Sequence, residues 1–364
     1  MTEADVGGSE VWVLGATGRS GRAIAARVAE RGHAVVLVGR DAARLDDAAA
    51  GIGDGTGGVR SVVAGDVEAM AAQVRAQRPG VVVHTVGPFA TTAVPIARAC
   101  LAAGSHYLDL ANDVVSAGGV LHLDAEAVAA GVTLVTGAGF GVVAAEAAVV
   151  ALCRDRPAPA SVRTDTVPSL ATDGGVVGEA LAASLVDGLP EGGRRYRGGR
   201  LVRTRIGADG AEVTLPDGER VTTVGAPFGD LVAAWRASGA PDVVAATSEL
   251  PSSPLARAAL PVAGAVLAVG PLRRLARQRF AQVALPARER PREHSWARAV
   301  AREPDGTERE QWLRLGDASA FTSTAAAAVA HRLAAGTAPP GADTPVAALG
   351  LDLVTEAGGE LVPG

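Results

Sequence analysis

A short apolar run, Val11–Leu14, stops at Gly15-Ala16-Thr17-Gly18-Arg19-Ser20-Gly21, and an Ala-rich stretch with helical spacing, 21–30, follows. No other feature narrows the folding options of this chain as much. A strand that ends on a glycine turn and feeds a helix gathers unpaired N–H groups and a partial positive charge at one point. Glycines keep the turn tight and let the backbone approach an anion. The spacing is G-x-x-G-x-x-G, not the G-x-G-x-x-G of many dinucleotide sites. The strand–turn–helix context carries the reading. Gly15, Thr17, Gly18, Arg19, Ser20 and Gly21 are expected to cradle a pyrophosphate.

The alternation continues. Val- and Leu-rich runs at 35–38, 61–65, 81–86, 107–110 and 132–135 read as parallel strands buried on both faces. Helical patterns at Val67–Gln77, 93–103 and 121–130 lie between them. The expected fold class is α/β, a doubly wound parallel sheet over residues 1–153. Arg156-Pro157-Ala158-Pro159 marks a linker. Residues 154–315 read as a second, α+β domain for substrate binding or dimerisation. It has a helix near 178–185, a mostly antiparallel sheet, and hairpin turns at Leu215-Pro216-Asp217-Gly218 and Glu303-Pro304-Asp305-Gly306. Residues 316–364 are expected to return to the first domain, with a helix over 321–335 and a short strand over 351–354.

The second strand ends Val38-Gly39-Arg40-Asp41. A carboxylate at that point favours NAD through the ribose 2′-hydroxyl, whereas an arginine accommodates the 2′-phosphate of NADP. Arg40 takes that position, so NADP(H) is the expected cofactor. Asp66, after the third strand, is a candidate adenine contact or a helix cap. Ligands of open parallel sheets sit beyond the carboxyl ends of the strands. Gly87, Pro88 and Phe89, then Tyr107 to Asp113, then Gly139 and Phe140 should therefore converge near the nicotinamide. Hydride transfer needs a proton donor or acceptor nearby. His84, Tyr107 and Asp113 are the catalytic candidates, with Asp109 beside them. Each has a structural alternative: a hydrogen-bonded core His, a core Tyr with its hydroxyl satisfied, or a helix cap.

With those segments in view, GATGRSGR, GRDAARL, VVVHTVGPF, ACLAAGSHYLDLAND and TLVTGAGFGVV resemble the N-terminal half of the saccharopine dehydrogenase-like oxidoreductases. That group includes saccharopine reductases and trans-acting enoyl reductases. The tail, SWARAVAREPDGTEREQWLRLGDASAFTSTAAAAVAHRLAAG followed by DTPVAALGLDLV, is similar to the enoyl-reductase branch. The resemblance covers residues 10–150 and 295–355. It implies an NADP-binding Rossmann domain, a substrate domain, and hydride transfer to an activated C=C bond of a small metabolite or thioester. An imine or amino-acid-type C=N substrate, or a catalytically silent NADP-binding sensor, is the alternative. Three positions depart from the family pattern. Gly141 stands where the family often has Asp, His84 where it commonly has Asn, and Asp113 where it has Glu. The acid chemistry of that Asp is then absent, and His84 is a candidate to replace some of it.

The chain has 364 residues with 48% apolar and 20% charged side chains, a soluble globular balance. Its net charge of −5 gives no basic field for nucleic acid. Every basic residue is Arg, so Walker-type phosphate loops, Schiff-base chemistry and a Tyr-x-x-x-Lys dyad are excluded. Cys100 and Cys153 cannot form a tetrahedral zinc site unaided and read as buried free thiols in a reducing cytoplasm, with no metal expected. The start, MTEADVGGSE, has no signal-peptide core. The longest uncharged apolar run, 258–272, is too short to span a bilayer. It reads as a cover for a greasy pocket, a homodimer interface or a membrane-surface element. Arg-rich stretches at 194–205 and 273–279 read as solvated faces, or as a dock for a CoA phosphate or an acyl-carrier protein.

Overall fold

In the computed structural model, residues 10–52, 57–177, 182, 186, 188–190, 192–250 and 254–364 are described. The first sheet takes strands β1 (Val11–Leu14), β2 (Val35–Gly39), β3 (Val59–Val63), β4 (Val81–His84), β5 (His106–Asp109) and β6 (Thr133–Val135). Their spatial order is β3-β2-β1-β4-β5-β6, all parallel, with a further strand Gly341–Asp343 added beside β6. The order reverses between β1 and β4, and that switch point opens a crevice at the carboxyl ends of the strands.

Crossover helices cover both faces. They are α1 (Arg19–Glu30), α2 (Ala42–Ala50), α3 (Val67–Gln77), α4 (Phe89–Ala103), α5 (Val114–Leu121) and α6 (Asp124–Ala130). Alternate strand residues feed two cores. Val11, Val13, Leu37 and Val83 face α1, while Trp12, Leu14, Val36 and Val82 face α3 and α4. This two-sided burial is why the strands read as unbroken apolar runs. The pattern expected over 121–130 is interrupted. α5 ends at Leu121 and α6 starts at Asp124, whose carboxylate accepts from Ala342 N–H at 2.8 Å and so holds the added strand.

The buried helix α7 (Phe140–Cys153) leads to the second sheet. There β7 (Ser161–Val167) lies parallel to a strand at Asp242–Thr247 and antiparallel to Ser295–Arg302, and the remaining ladders are antiparallel. Hairpins form at both expected turns, joining Ala211–Thr214 to Arg220–Gly225 and Ser295–Arg302 to Glu308–Leu315. The helix α8 (Gly229–Ser238) packs beneath this sheet on α7. The run 258–272 is split between α9 (Pro254–Leu267) and α10 (Gly270–Ala281), and Val262, Val266, Val269 and Leu272 are exposed on it. Apart from Ala182, the helix expected at 178–185 falls outside the described residues, as do residues 1–9.

The expected helix over 321–335 is α11 (Ala318–Ala334), and α12 (Pro345–Leu349) follows. The strand expected over 351–354 is instead part of a helix, α13 (Asp352–Glu356), and the terminal strand is Glu360–Pro363. Leu353 and Val354 are buried in two different clusters, which a short apolar run does not reveal by its period. Both cysteines are buried, and burial pushes their thiols up.

Glu146 on α7 anchors the tail. Fully buried, it accepts from the Thr344 hydroxyl and from the N–H groups of Val346 and Ala347, both at 2.9 Å, so it caps α12. Burial lifts its carboxyl from 4.5 to about 7, with the three donors opposing. A folded value above the unfolded one means the folded state retains a proton that the unfolded chain has released. That contribution is complete below about pH 4.5 and disappears as pH rises through about 7. Glu146→Gln is expected to remove about 3 kcal/mol of stability change between those limits, read as urea midpoints across the range.

Candidate functional site

The glycine turn is built by close packing. Gly15 has φ +83°, and a Cβ there meets Thr85 Oγ1 at 2.7 Å. Gly18 precedes α1 as its N-cap with no side-chain cap, and no acidic residue sits in the first turn. The N–H groups at the start of α1 therefore face the crevice without a side-chain acceptor, which fits an anion. Arg19 and Ser20 line a cleft of about 400 Å³. The rest of its wall comes from the loops after β4 (Thr85, Phe89), β5 (Leu110, Ala111, Asn112) and β6 (Gly139 to Val142). The second sheet adds Pro168, Leu170 and Glu249, and α11 adds Ala318, Ser319 and Thr322.

Asp109 holds two of these loops together. It is fully buried and accepts from Tyr107 OH (2.8 Å), Ala111 N–H (3.0 Å), Thr136 Oγ1 (3.0 Å) and Gly137 N–H (2.8 Å). Burial raises its carboxyl and these donors oppose the rise. Beyond it, Asn112 accepts from Gly229 N–H at 3.2 Å and joins the first sheet to α8. A Cβ on Gly141 comes within 3.2 Å of the Asn112 amide, so the glycine leaves this corner of the cleft open.

The expected acid–base residues lie off the cleft wall. His84 is fully buried under Phe89, with the rings edge-to-face at 5.4 Å. Thr92 Oγ1 donates to Val86 O at 2.7 Å, so His84 Nε2 is the donor in its 2.9 Å contact with Thr92, and Nδ1 is left bare. Burial drives His84 down to about 3, so it is neutral at physiological pH and holds no proton to give as an imidazolium. Desolvation thus removes the charged form of this candidate. Tyr107 is fully buried, and burial together with Asp109 pushes its hydroxyl well up. Asp113 caps α5 through Ser116 N–H at 2.8 Å and the Ser116 hydroxyl. Asp66 caps α3 through Ala69 N–H at 2.8 Å, and Asp41 caps α2 through Arg44 N–H at 3.2 Å.

Arg40 is exposed and makes no hydrogen bond or ion pair with a described residue. Arg44, one helical turn on, reaches back to Thr17 O at 3.3 Å and adds a second guanidinium beside the glycine turn, which sequence reasoning missed. Asn112 and Glu249 were also missed. Phe140 is mostly buried against Phe321, although it borders the cleft. Among the described residues no cluster of His, Cys, Asp and Glu could hold a metal ion, and no helix is long and apolar enough to cross a membrane.

A family model of the saccharopine dehydrogenase NADP binding domain matches residues 11–135. This stretch of the chain thus resembles the NADP binding domain of the saccharopine dehydrogenases. Its coenzyme is accordingly NADP(H). A trans-acting enoyl reductase of Mycobacterium tuberculosis (strain ATCC 25618 / H37Rv) is 30% identical over 108 residues, 29% of this chain and 26% of the relative. One of Mycobacterium leprae (strain TN) is 29% identical over 148 residues, 40% and 35% respectively. The matched stretches thus span about a quarter to a third of the length of these curated relatives. The amine dehydrogenase from Mycobacterium smegmatis is similar over 93% of this chain and 95% of its own, with 15% identity and a TM-score of 0.44.

The glycine turn, the uncapped α1 and unpaired Arg40 fit the coenzyme of this family. Arg40→Ala is expected to weaken NADPH about 10- to 100-fold and NADH hardly at all, the size of one charge-assisted contact. Parallel titrations check it, and equal losses for both coenzymes overturn the role of Arg40.

Proposed function

We propose that this protein is an NADPH-dependent reductase of an activated C=C bond in an apolar metabolite or thioester. The observation that carries the reading is a single cleft. It joins the coenzyme turn at Arg19 and Ser20 to an apolar wall of Phe89, Leu110, Val142, Pro168 and Leu170. The similarity to trans-acting enoyl reductases supports the enoyl class. Bound in this cleft, the coenzyme supplies a hydride. The chain's own residues do the rest. Arg40 and Arg44 stand ready for the 2′-phosphate, and the α1 N–H groups for the pyrophosphate. Gly15, Thr17, Gly18 and Gly21 shape that cradle, and Gly87, Pro88 and Gly139 bring their loops to the same end. The apolar wall excludes water and orients the acyl portion.

The arginine hairpin at 193–204 is a candidate dock for the phosphates of a CoA or acyl-carrier partner. Arg195 is, however, already paired with Asp209 at 2.9 Å. The test is NADPH oxidation against enoyl thioesters and cyclic imines, alongside calorimetry. Turnover of an enoyl thioester is the expected result. Turnover confined to imines overturns the C=C assignment, and absence of heat with either coenzyme overturns the reductase reading.

A further inference from the structure

Reduction of a C=C bond delivers a hydride to one carbon and requires a proton at the other. The cleft wall offers few groups able to supply it. Among the described side chains that line it, only Arg19 and Glu249 carry ionisable groups. Arginine stays protonated across the working range. Glu249 follows the strand Asp242–Thr247 and enters the cleft from the second sheet. Its backbone N–H donates to Thr247 Oγ1 at 3.3 Å, while its carboxyl makes no hydrogen bond or ion pair with a described residue.

Asp230, in the first turn of α8, lies within electrostatic reach of Glu249. It is 1% exposed, and its Oδ1 has no hydrogen-bond partner. Burial, and then the charge of Glu249, push Asp230 up to about 7. The Glu249 side chain opens to solvent inside the cleft, yet enough protein surrounds it that desolvation raises its carboxyl too. A carboxyl raised by burial keeps its proton to higher pH than a fully solvated one. Arg19 is the other charged side chain among the described residues of the cleft wall.

We propose that Glu249 is the proton donor of this cleft. The assignment rests on the reductase reading. The substrate's double bond accepts a hydride at one carbon, and its π electron pair moves to the other. There the Glu249 O–H bond breaks, a C–H bond forms, and a carboxylate remains beside saturated product and oxidised coenzyme. Water restores the proton to Glu249.

The test uses the charge difference between the two coenzyme forms, because the oxidised ring is cationic and the reduced ring neutral. A carboxyl that faces the ring releases a proton when the oxidised form binds. Calorimetry of NADP+ and NADPH in buffers of different ionisation enthalpy, at about pH 5 to 7, measures that release. The expected result is an excess release with NADP+ that disappears in Glu249→Gln, while the heat with NADPH persists and reports an intact fold. With a turned-over substrate, Glu249→Gln is expected to lower kcat about 100-fold with KM little changed. Equal proton release in wild type and Glu249→Gln overturns the assignment and leaves the reductase reading standing. Absence of heat from the wild type with either coenzyme removes both.

Discussion

Gly21→Ala is expected to weaken NADPH at least about 100-fold and to destabilise the first domain by about 2–3 kcal/mol. A methyl group at this position falls 2.4 Å from Gly15 O and 2.9 Å from Ala16 Cα. Both neighbours are backbone, so no rotamer change relieves the overlap. Either α1 withdraws from the turn or the turn opens, and both movements displace the N–H groups that face the cleft. Gly18 provides the contrast. Its φ is −81°, and a Cβ there meets only Gly15 O, at 3.3 Å. Gly18→Ala is therefore expected to keep the melting temperature within about a degree or two of wild type. Calorimetry and thermal melts of the two variants decide the matter. Wild-type affinity in Gly21→Ala would mean that the turn is not the coenzyme cradle.

Asp109→Ala is expected to cost about 3–5 kcal/mol, which takes much of the stability of a domain of ordinary size. The alanine removes the acceptor for the N–H groups of Ala111 and Gly137, which sit at the bases of two cleft loops. Buried donors left unpaired cost about 1–3 kcal/mol each. The Tyr107 and Thr136 hydroxyls lose the same partner. Asp109→Asn preserves the volume but replaces an acceptor oxygen with an amide donor among four donors, so a loss of similar size is expected. The urea midpoint should fall in both variants, and coenzyme affinity should fall with it, since Ala111 and Asn112 line the cleft. A midpoint unchanged in Asp109→Ala refutes the idea that this carboxyl ties the loops together.

Much of the first domain was legible because its signals are local. Val11–Leu14 and the run over 35–38 are buried on both faces, so they appear in the chain as unbroken apolar stretches. Two turn sequences, around Asp217-Gly218 and Asp305-Gly306, place glycine where φ is +89° in each, and both form hairpins as expected. The glycine turn and the exposed Arg40 were legible for the same reason: each lies within a few residues of one strand end.

The amino-acid sequence by itself determined the alternation of strands and helices, the glycine turn and the exposed arginine after β2. Each depends on contacts between residues close in the chain. Only the tertiary structure decided which titratable groups meet the cleft. His84 looked available at the end of β4, but α4 closes over it and leaves it neutral. Glu249 carries no local signal, and its importance arises because the second sheet brings it to a wall built by strands more than a hundred residues away. The run over 351–354 became a helix because two distant cores each claim one of its residues. Burial and long-range approach set these outcomes, and neither is a property of a short stretch of chain.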